Sequence, residues 1–381
     1  MNRLPEQWKR GGNLFDSIQF DDTEPCTKTE ILPYKIEHAI KGRPIHSLSG
    51  ILQKRPVEFL RDAAVSMGMD PTMNKKLLVK ALSEELPSRN VFIPTMLNMP
   101  YTSLQFFQEL QFLEHIKSDT VRMATYLPLQ QAVLLQSFYW DESMIFLVPK
   151  EIKRFCRQYL FDGTLGRILD AVLMHEYMKA AVTLYGIIKP RELAAICNSQ
   201  NDTSFSEKDF IAVLEMYQDE QSCDYLLTGD YLVSNIFYLL GMEKVQVLEK
   251  EIRNKARYIP KKEEMFDYAH DGWDEEYTQE CSNLEQFLRS ELGMRLREAR
   301  KMTLLMSFYA TNEVPLQDQM DTFFYVAGIP VREVHTEMKE LLTDINDNTR
   351  IWSEKGHTRR EARQLADAPR IKMVKGGRNK K

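Results

Sequence analysis

The order of helix-like and strand-like segments between residues 172 and 237 constrains the fold more than any other feature of the sequence. The apolar spacing of VLMHEYMKAAVTL predicts a helix, YGII predicts a short strand, and Pro190 marks the start of a second helix. A third helix is predicted from the Ser206-Glu207 cap, where Ser-x-x-Asp is close to a capping box. A hairpin follows and turns at Thr228-Gly229-Asp230. The predicted order is therefore helix, strand, helix, helix, hairpin.

This is the order of a winged helix-turn-helix, and an earlier segment resembles a degenerate copy of it. LLQSFYWDESMIFLVPKEI predicts a helix end, a strand, a turn at Asp141-Glu142-Ser143 and a second strand, closed by Pro149. We therefore predict two winged-helix-like units in tandem, at residues 91–160 and 161–245, followed by a helical region at residues 246–349. A chain of 381 residues is too long for one core, so the expected fold class is mainly α and multidomain, with short β-hairpins.

The charge of the second unit argues against DNA recognition. In helix-turn-helix proteins the second helix enters the major groove and needs basic or amide side chains there. The corresponding segment, SEKDFIAVLEMYQDEQ, has Lys208 as its single basic residue, against the acidic residues Glu207, Asp209, Glu215, Asp219 and Glu220. The wing, CDYLLTGDYLVS, contains no Lys or Arg. Phosphate would be repelled by such a surface, so we expect a protein-contact module or a scaffold.

A small helical module is predicted at residues 31–90. Its two helices are PVEFLRDAAVSMG and NKKLLVKALSEEL, joined by the extended link MDPTM. We expect a shared core of Leu60, Ala64, Leu77, Leu78 and Leu82. The layout resembles the Rho N-terminal and SAP-type helix-extension-helix modules, which are associated with nucleic acid. This resemblance implies Lys75, Lys76 and Lys80 as contacts, although six basic and five acidic residues in 51–86 favour a packing role.

The C-terminal segment, residues 350–381, is strongly basic in an otherwise acidic chain. It has 11 Lys/Arg against 3 Asp/Glu, a formal charge of +8, whereas the whole chain carries −5. Clustered positive charge favours contact with a polyanion, here RNA or a ribonucleoprotein surface. A solvated tail that aids solubility is the alternative. The candidate contacts are Arg359, Arg360, Arg363, Arg370, Lys372, Lys375, Arg378, Lys380 and Lys381.

Just before these residues lies the pattern N-x-N-T-R-x-W-x-x-x-G-H-T-x-x-E, from Asn346 to Glu361. It resembles a segment of uncharacterised cytoplasmic proteins of Gram-positive bacteria, often followed by a SEC-C zinc motif. Arg359 stands where that family tends to have Pro, and no cysteines follow residues 377–379, so zinc binding does not carry over. We expect Arg350 and Trp352 to be structural, docking the segment on the preceding helix through a carboxylate pair and burial.

Catalytic motifs are absent from the sequence. It contains no GxxxxGK[ST], GxGxxG, HExxH or GxSxG pattern, so we expect no enzyme and no cofactor. The acidic, aromatic block FDYAHDGWDEEYTQE suggests a metal site through Asp267, His270, Asp271, Asp274 and Glu275, but an exposed helix end with Tyr268, Trp273 and Tyr277 packed inward is the preferred interpretation.

Location and partners follow from what the chain lacks. Five cysteines lie far apart without a CxxC pair, which favours a reducing cytoplasm. No run of about 18 apolar residues predicts a membrane span, and residues 1–30 are predicted to form a flexible arm. We expect a non-catalytic interaction protein associated with RNA. A protein–protein adaptor with acidic winged-helix faces, and an enzyme of unknown class, are the other hypotheses.

Overall fold

The computed structural model describes residues 28–217, 223–270, 278–328 and 335–367. The chain forms two compact units, one ending at Glu176 and the other continuing from Tyr177. Both are mainly helical and carry a small sheet of short strands. The predicted fold class, mainly α and multidomain with short hairpins, is confirmed. The predicted arm lies outside the described residues except for residues 28–30, which begin the first helix.

The first unit contains helices α1–α8 and a four-stranded sheet, and the long helix α9 begins in it. Its elements are α1 (Lys28–His38), β1 (Ile40–Lys41), α2 (Leu48–Lys54), α3 (Val57–Ser66), α4 (Lys75–Glu85), α5 (Arg89–Leu97), α6 (Tyr101–Phe112), β2 (Ile116–Lys117), α7 (Met123–Gln131), β3 (Gln136–Trp140), β4 (Ser143–Leu147) and α8 (Lys150–Phe161).

Helices α3 and α4 are the two helices of the helix-extension-helix segment, and local signals set their ends. Pro56 directly precedes α3, where its fixed φ suits a helix start. Gly68 follows α3 with a φ of +69°, a conformation in which glycine carries no Cβ penalty. Asn74 caps α4, since its Oδ1 accepts the backbone N–H of Leu77 at 3.1 Å.

The predicted core of this segment is correct at four positions and wrong at one. Leu60, Ala64, Leu78 and Leu82 are fully buried, whereas the side chain of Leu77 is 49% exposed. Leu78 and Leu82 lie four residues apart and share one face of α4, and Leu77 is rotated about 100° from Leu78 around the helix axis. The segment is also not isolated, because its core continues into Phe92, Phe107 and Phe146. The predicted boundary at residues 90 and 91 does not divide this core.

The first sheet has the strand order β1-β3-β4-β2. Strands β3 and β4 form the predicted hairpin, with Trp140 opposite Ser143. Asp141 and Glu142 make its two-residue turn with φ of +53° and +56°, as tight hairpins with right-handed twist require. One helix, α7, separates β2 from β3 in this fully described stretch, where a winged helix has two. Strand β1 lies outside the predicted unit and pairs with β3 in parallel.

The second unit contains the rest of α9, a three-stranded sheet and a C-terminal group of helices. Its elements are α9 (Thr164–Tyr185), β5 (Ile187–Ile188), α10 (Pro190–Asn201), α11 (Glu207–Tyr217), β6 (Tyr225–Thr228), β7 (Tyr231–Ser234), α12 (Phe237–Leu240), α13 (Glu243–Ile252), α14 (Lys262–His270), α15 (Gln279–Ser290), α16 (Leu296–Thr311), α17 (Leu316–Ala327), α18 (His335–Asn348), a 3-10 turn (Trp352–Glu354) and α19 (Arg359–Asp367).

Elements α9 to β7 have the order and the topology of a winged helix. The sheet order is β5-β7-β6 with antiparallel pairing throughout. The backbone N–H of Ser206 donates to the Asp209 carboxylate at 2.7 Å and fixes the start of α11. Gly229, with a φ of +57°, makes the turn of the hairpin between β6 and β7. The predicted order of helix, strand, helix, helix and hairpin is present in this segment, and its assignment as a winged-helix-like unit stays a prediction.

The helices that follow have a core of their own. Side chains from α15 to α18 form one buried cluster, which includes Leu284, Met306, Phe323 and Leu342. Each of these helices is amphipathic, so it can bury one face only against its neighbours. The predicted helical region at residues 246–349 therefore ends in a packed bundle, and the chain leaves this bundle at Asn348 towards the segment that carries the pattern N-T-R-x-W.

Candidate functional site

The segment from Thr349 to Glu361 closes into a compact loop held by Arg350. An isolated β-bridge joins Arg350 to Thr358. The Nη1 atom of Arg350 donates to the Gly356 carbonyl oxygen at 3.0 Å and to the Glu361 carboxylate at 2.9 Å. Its guanidinium carbon lies 3.4 Å from the centre of the Tyr258 ring. Arg350 thus pairs with a carboxylate, but this carboxylate belongs to the following helix α19 and not to the preceding helix α18.

Trp352 docks on the winged-helix unit, and the expectation that it docks on α18 is wrong. Its indole N–H donates to the Thr183 carbonyl oxygen at 2.9 Å, and its ring centre lies 5.3 Å from that of Phe237. Its indole atoms also lie directly over Gly186, where an added Cβ would overlap them. Because glycine has no side chain, the chain at the end of α9 presents bare backbone that the flat indole can cover.

Gly356 makes a second close approach to the end of α9. Its φ is +83°, and a Cβ at this position would lie 2.8 Å from Cε1 of Tyr185. The hydroxyl of Tyr185 donates to the Tyr258 carbonyl oxygen at 2.7 Å. Burial raises the pKa of Tyr185 well above its usual range, so this hydroxyl remains a donor at any physiological pH. Gly356 of the pattern is therefore required by packing.

Helix α19 begins at a reciprocal cap and is held on α18 by ion pairs. The Thr358 hydroxyl oxygen accepts the Glu361 N–H at 3.1 Å, and the Glu361 carboxylate accepts the Thr358 N–H at 3.1 Å. Arg359 donates to the Asn346 carbonyl oxygen at 2.8 Å. Two further arginines of α19 pair with carboxylates of α18, Arg360 with Asp344 at 3.9 Å and Arg363 with Asp347 at 2.5 Å.

The predicted nucleic-acid contacts fall into three groups. Arg359, Arg360 and Arg363 lie on α19 and have acidic or carbonyl partners inside the chain. Lys75, Lys76 and Lys80 are exposed along α4, in the other compact unit. A third group falls outside the described residues and comprises Arg370, Lys372, Lys375, Arg378, Lys380 and Lys381.

Helix α11 corresponds to the helix that enters the major groove in helix-turn-helix proteins, and its acidic residues are exposed. Glu207, Asp209 and Glu215 point outwards, and Met216 beside them is 46% exposed. Asp219 and Glu220 fall outside the described residues. The hairpin between β6 and β7 carries Asp230 at its turn and no basic residue. A phosphate backbone would meet negative charge on this side of the winged helix.

Two carboxylates next to the loop have pKa values that shift in opposite directions. Burial raises the pKa of Glu313, and the hydrogen bond from the Ser353 hydroxyl at 2.5 Å and the charge of Arg359 offset this rise only in part. Burial alone would also raise the pKa of Glu361, but the Thr358 N–H and the charge of Arg350 outweigh it, and the pKa is lowered. Glu361 is therefore held as the carboxylate that Arg350 needs.

A pocket of about 220 Å³ lies where the loop meets the winged helix. The end of α9 contributes Lys179 and Thr183, and the sheet side contributes Asp224 and Asn235. Helix α16 contributes Asn312 at its end. The loop itself adds Arg350 and Trp352, and α14 adds Tyr268 and His270. Sequence reasoning missed Lys179, Asp224 and Asn312, because they come from separate segments and no local pattern marks them.

The acidic, aromatic block is described only up to His270. Tyr268 is half-buried, Asp267 and His270 are exposed, and Asp271, Trp273, Asp274, Glu275 and Tyr277 fall outside the described residues. Within the described ranges, no group of three or more His, Cys, Asp or Glu residues is placed to hold a metal ion. Among the same residues, no helix combines the length and apolarity needed to cross a membrane. No family model, curated protein or solved structure matches this chain.

Proposed function

We propose that this protein is a non-catalytic, RNA-associated interaction protein of the cytoplasm, and that residues 368–381 make the RNA contact. The observation that supports the proposal is the pairing of α19. Its arginines have partners within the chain, Arg360 and Arg363 on α18, and these neighbouring carboxylates offset their positive charge. The residues beyond Asp367 include six Lys/Arg and no Asp/Glu, so their positive charge has no local partner in sequence.

The basic residues 368–381 directly follow a helix that is held in place, and this position suits binding of a polyanion. The loop of Arg350 and the cap of α19 hold the helix that directly precedes these basic residues in sequence. A tethered basic segment adds affinity without a preformed groove, because counterion release supplies most of the free energy of contact with phosphate. Lys75, Lys76 and Lys80 are a second set of exposed cations that the same proposal assigns to weak, non-specific contact.

Binding of a single-stranded RNA 20-mer to the full chain, followed by fluorescence anisotropy at about 50 mM salt, tests the proposal. A variant with the six tail Lys/Arg replaced by Gln should lose binding, whereas a variant with the tail residues in scrambled order should keep it. No binding by the full chain, or equal binding by the neutral-tail variant, would overturn the proposal.

The second candidate function is a protein–protein adaptor, and the exposed face of α11 favours it. Glu207, Glu215 and the apolar Met216 are all exposed on the helix that would contact DNA in a DNA-binding winged helix. Exposed carboxylates on a helix that also carries an exposed apolar side chain suit a basic protein partner. The double variant Glu207→Lys, Glu215→Lys should then lose proteins that co-purify with the full chain after nuclease treatment. Glu263→Lys, at an exposed position of α14, is the matched control.

A further inference from the structure

Residues of two sequence motifs meet at the pocket beside the loop, and the proposed function assigns neither of them an RNA contact. Arg350 and Trp352 come from the pattern N-T-R-x-W, and Tyr268 and His270 come from the acidic, aromatic block about 80 residues earlier. The remaining wall is built by α9, the winged-helix sheet and the end of α16. Residues from five parts of one unit therefore surround one cavity, which is the usual construction of a small-molecule site.

The size of the cavity limits what can enter it. An engineered protein cavity of about 150 Å³ holds one benzene molecule of six carbon atoms. At the same packing, about 220 Å³ accommodates a molecule of roughly nine non-hydrogen atoms. Nucleotides are more than twice this size, and pockets for drug-sized ligands start at about 300 Å³. The cavity therefore suits a small metabolite.

The charges in the cavity are mixed in sign. Lys179 and Arg350 bring two positive charges, and Asp224 brings one carboxylate. The Lys179 Nζ and Asp224 Oδ2 atoms lie 3.6 Å apart, which is longer than a direct hydrogen bond, so each group keeps hydrogen-bonding capacity for a third partner. Arg350 uses its Nη1 atom for Gly356 and Glu361.

Two amides, Asn235 and Asn312, add acceptors to the lining. The Nδ2 atoms of Asn235 and Asn312 donate to the carbonyl oxygens of Cys223 and Phe308 at 3.1 and 2.8 Å. These bonds use the donor atom of each amide, and the Oδ1 atom is the acceptor that each residue can offer to a ligand. Apolar side chains of Val182, Leu184 and Ile236 complete the lining. The lining therefore combines cationic donors, carboxylate and amide acceptors, and apolar surface.

We propose that this cavity binds a small free amino acid. The ligand carboxylate lies against Lys179 and Arg350, because two cations beside a carboxylate give charge-assisted hydrogen bonds. The ligand ammonium lies against Asp224 and the amide oxygens of Asn235 and Asn312. A small aliphatic side chain fills the apolar part of the cavity. This site is separate from the RNA contact and does not depend on it.

Isothermal titration of the full chain with each of the 20 amino acids, supported by thermal unfolding, tests the proposal. At least one small amino acid should bind saturably and raise the unfolding midpoint by several degrees at about 100-fold excess over its Kd. Propionate, which lacks the ammonium, and propylamine, which lacks the carboxylate, should bind at least tenfold more weakly. Absence of binding by every amino acid at about 10 mM, or equal binding by propionate, would overturn the proposal.

Paired variants distinguish the two ends of the ligand. Asp224→Asn should weaken amino-acid binding at least tenfold and leave propionate binding unchanged, whereas Lys179→Met should weaken both. Asp230→Asn and Lys208→Met change exposed residues of the same types away from the cavity and should bind like the unmodified protein. Equal binding by Asp224→Asn and the unmodified protein would contradict the assignment, and an unchanged urea unfolding curve for each variant excludes misfolding as the cause.

Discussion

At the residue scale, the loop depends on glycines whose role only the tertiary structure reveals. Gly186 and Gly229 both have positive φ, of +69° and +57°, but a Cβ would overlap Trp352 at the first and meet nothing within 4 Å at the second. The sequence YGII suggested a strand and gave no sign that an indole 166 residues later covers its glycine. Contacts of this kind are non-local, and local propensity carries no information about them.

The two glycines give a matched test of this packing. Replacing Gly229 by Ala should cost about 1–2 kcal/mol for the left-handed backbone alone. Replacing Gly186 by Ala should cost a further 1–3 kcal/mol, because Trp352 must move out of a packed position. Urea unfolding of the two variants measures the difference. Equal destabilisation by both substitutions would show that Trp352 does not lie on Gly186.

Glu313 and Glu361 should respond to pH in opposite ways. The folded pKa of Glu313 is raised, so the stability it contributes is present at low pH and is lost as the pH rises through that pKa. Glu313→Gln should therefore gain stability relative to the unmodified protein between pH 4 and pH 7. The folded pKa of Glu361 is lowered, so its contribution is present at neutral pH and is lost as the pH falls through that pKa.

Urea unfolding at pH 4 and pH 7 measures both effects. Glu361→Gln should be less stable than the unmodified protein at pH 7, and this difference should shrink at low pH. Its size will be moderate because Glu361 is partly exposed and screened by solvent. If both variants shift in the same direction between the two pH values, the assignment of at least one carboxylate is wrong.

At the element scale, local signals determined most of what the sequence predicted correctly. The ends of α3 and α4, the start of α11 and the hairpin turns follow from Pro, Gly, Asn and Ser at caps and turns. The two-residue strands β1 and β2 were not predicted. They are strands only because Ile40 lies beside Phe138 and Ile116 lies opposite Phe146, and such pairing has no periodicity to detect.

Helix α19 gives the clearest prediction at this scale, because none of its residues is buried. Its stability then depends on the cap and the ion pairs, and removing a Thr cap costs about 1 kcal/mol. Thr358→Ala should therefore speed amide hydrogen exchange across residues 359–367 about fivefold, since about 1 kcal/mol is a factor of 5 in the opening equilibrium. Ser206→Ala at the other cap is the control and should affect α11 alone. Unchanged exchange in α19 would mean that the cap does not hold it.

At the scale of the whole molecule, the sequence predicted more domains than the chain has compact units. Helices on both sides of the predicted boundary at residues 90 and 91 share one core, and α9 runs across the division at residues 176 and 177 as a single helix of 22 residues. Periodicity identifies helices, but it does not show which of them bury their apolar faces together. The sequence did not predict the pocket, because periodicity also does not show which distant residues meet.

The distribution of charge along the chain also led to a prediction for the whole molecule, namely where phosphate contact occurs. Residues 350–381 carry +8 in a chain of −5, and the exposed face of α11 is acidic. Phosphate contact is therefore expected at the C-terminal end and away from the winged helix. The structure refines this expectation, since the arginines of α19 already have partners and Arg370, Lys372, Lys375, Arg378, Lys380 and Lys381 remain as candidates.

The salt dependence of RNA affinity tests most directly the central claim that residues 368–381 make the RNA contact. With about five phosphates contacted, the slope of log K against log salt for single-stranded RNA should be near −3 to −4, at roughly −0.7 per phosphate. The double variant Arg360→Gln, Arg363→Gln should keep this slope, and a chain ending at Asp367 should lose nearly all of it. A chain ending at Asp367 that binds RNA with an unchanged slope would contradict the account.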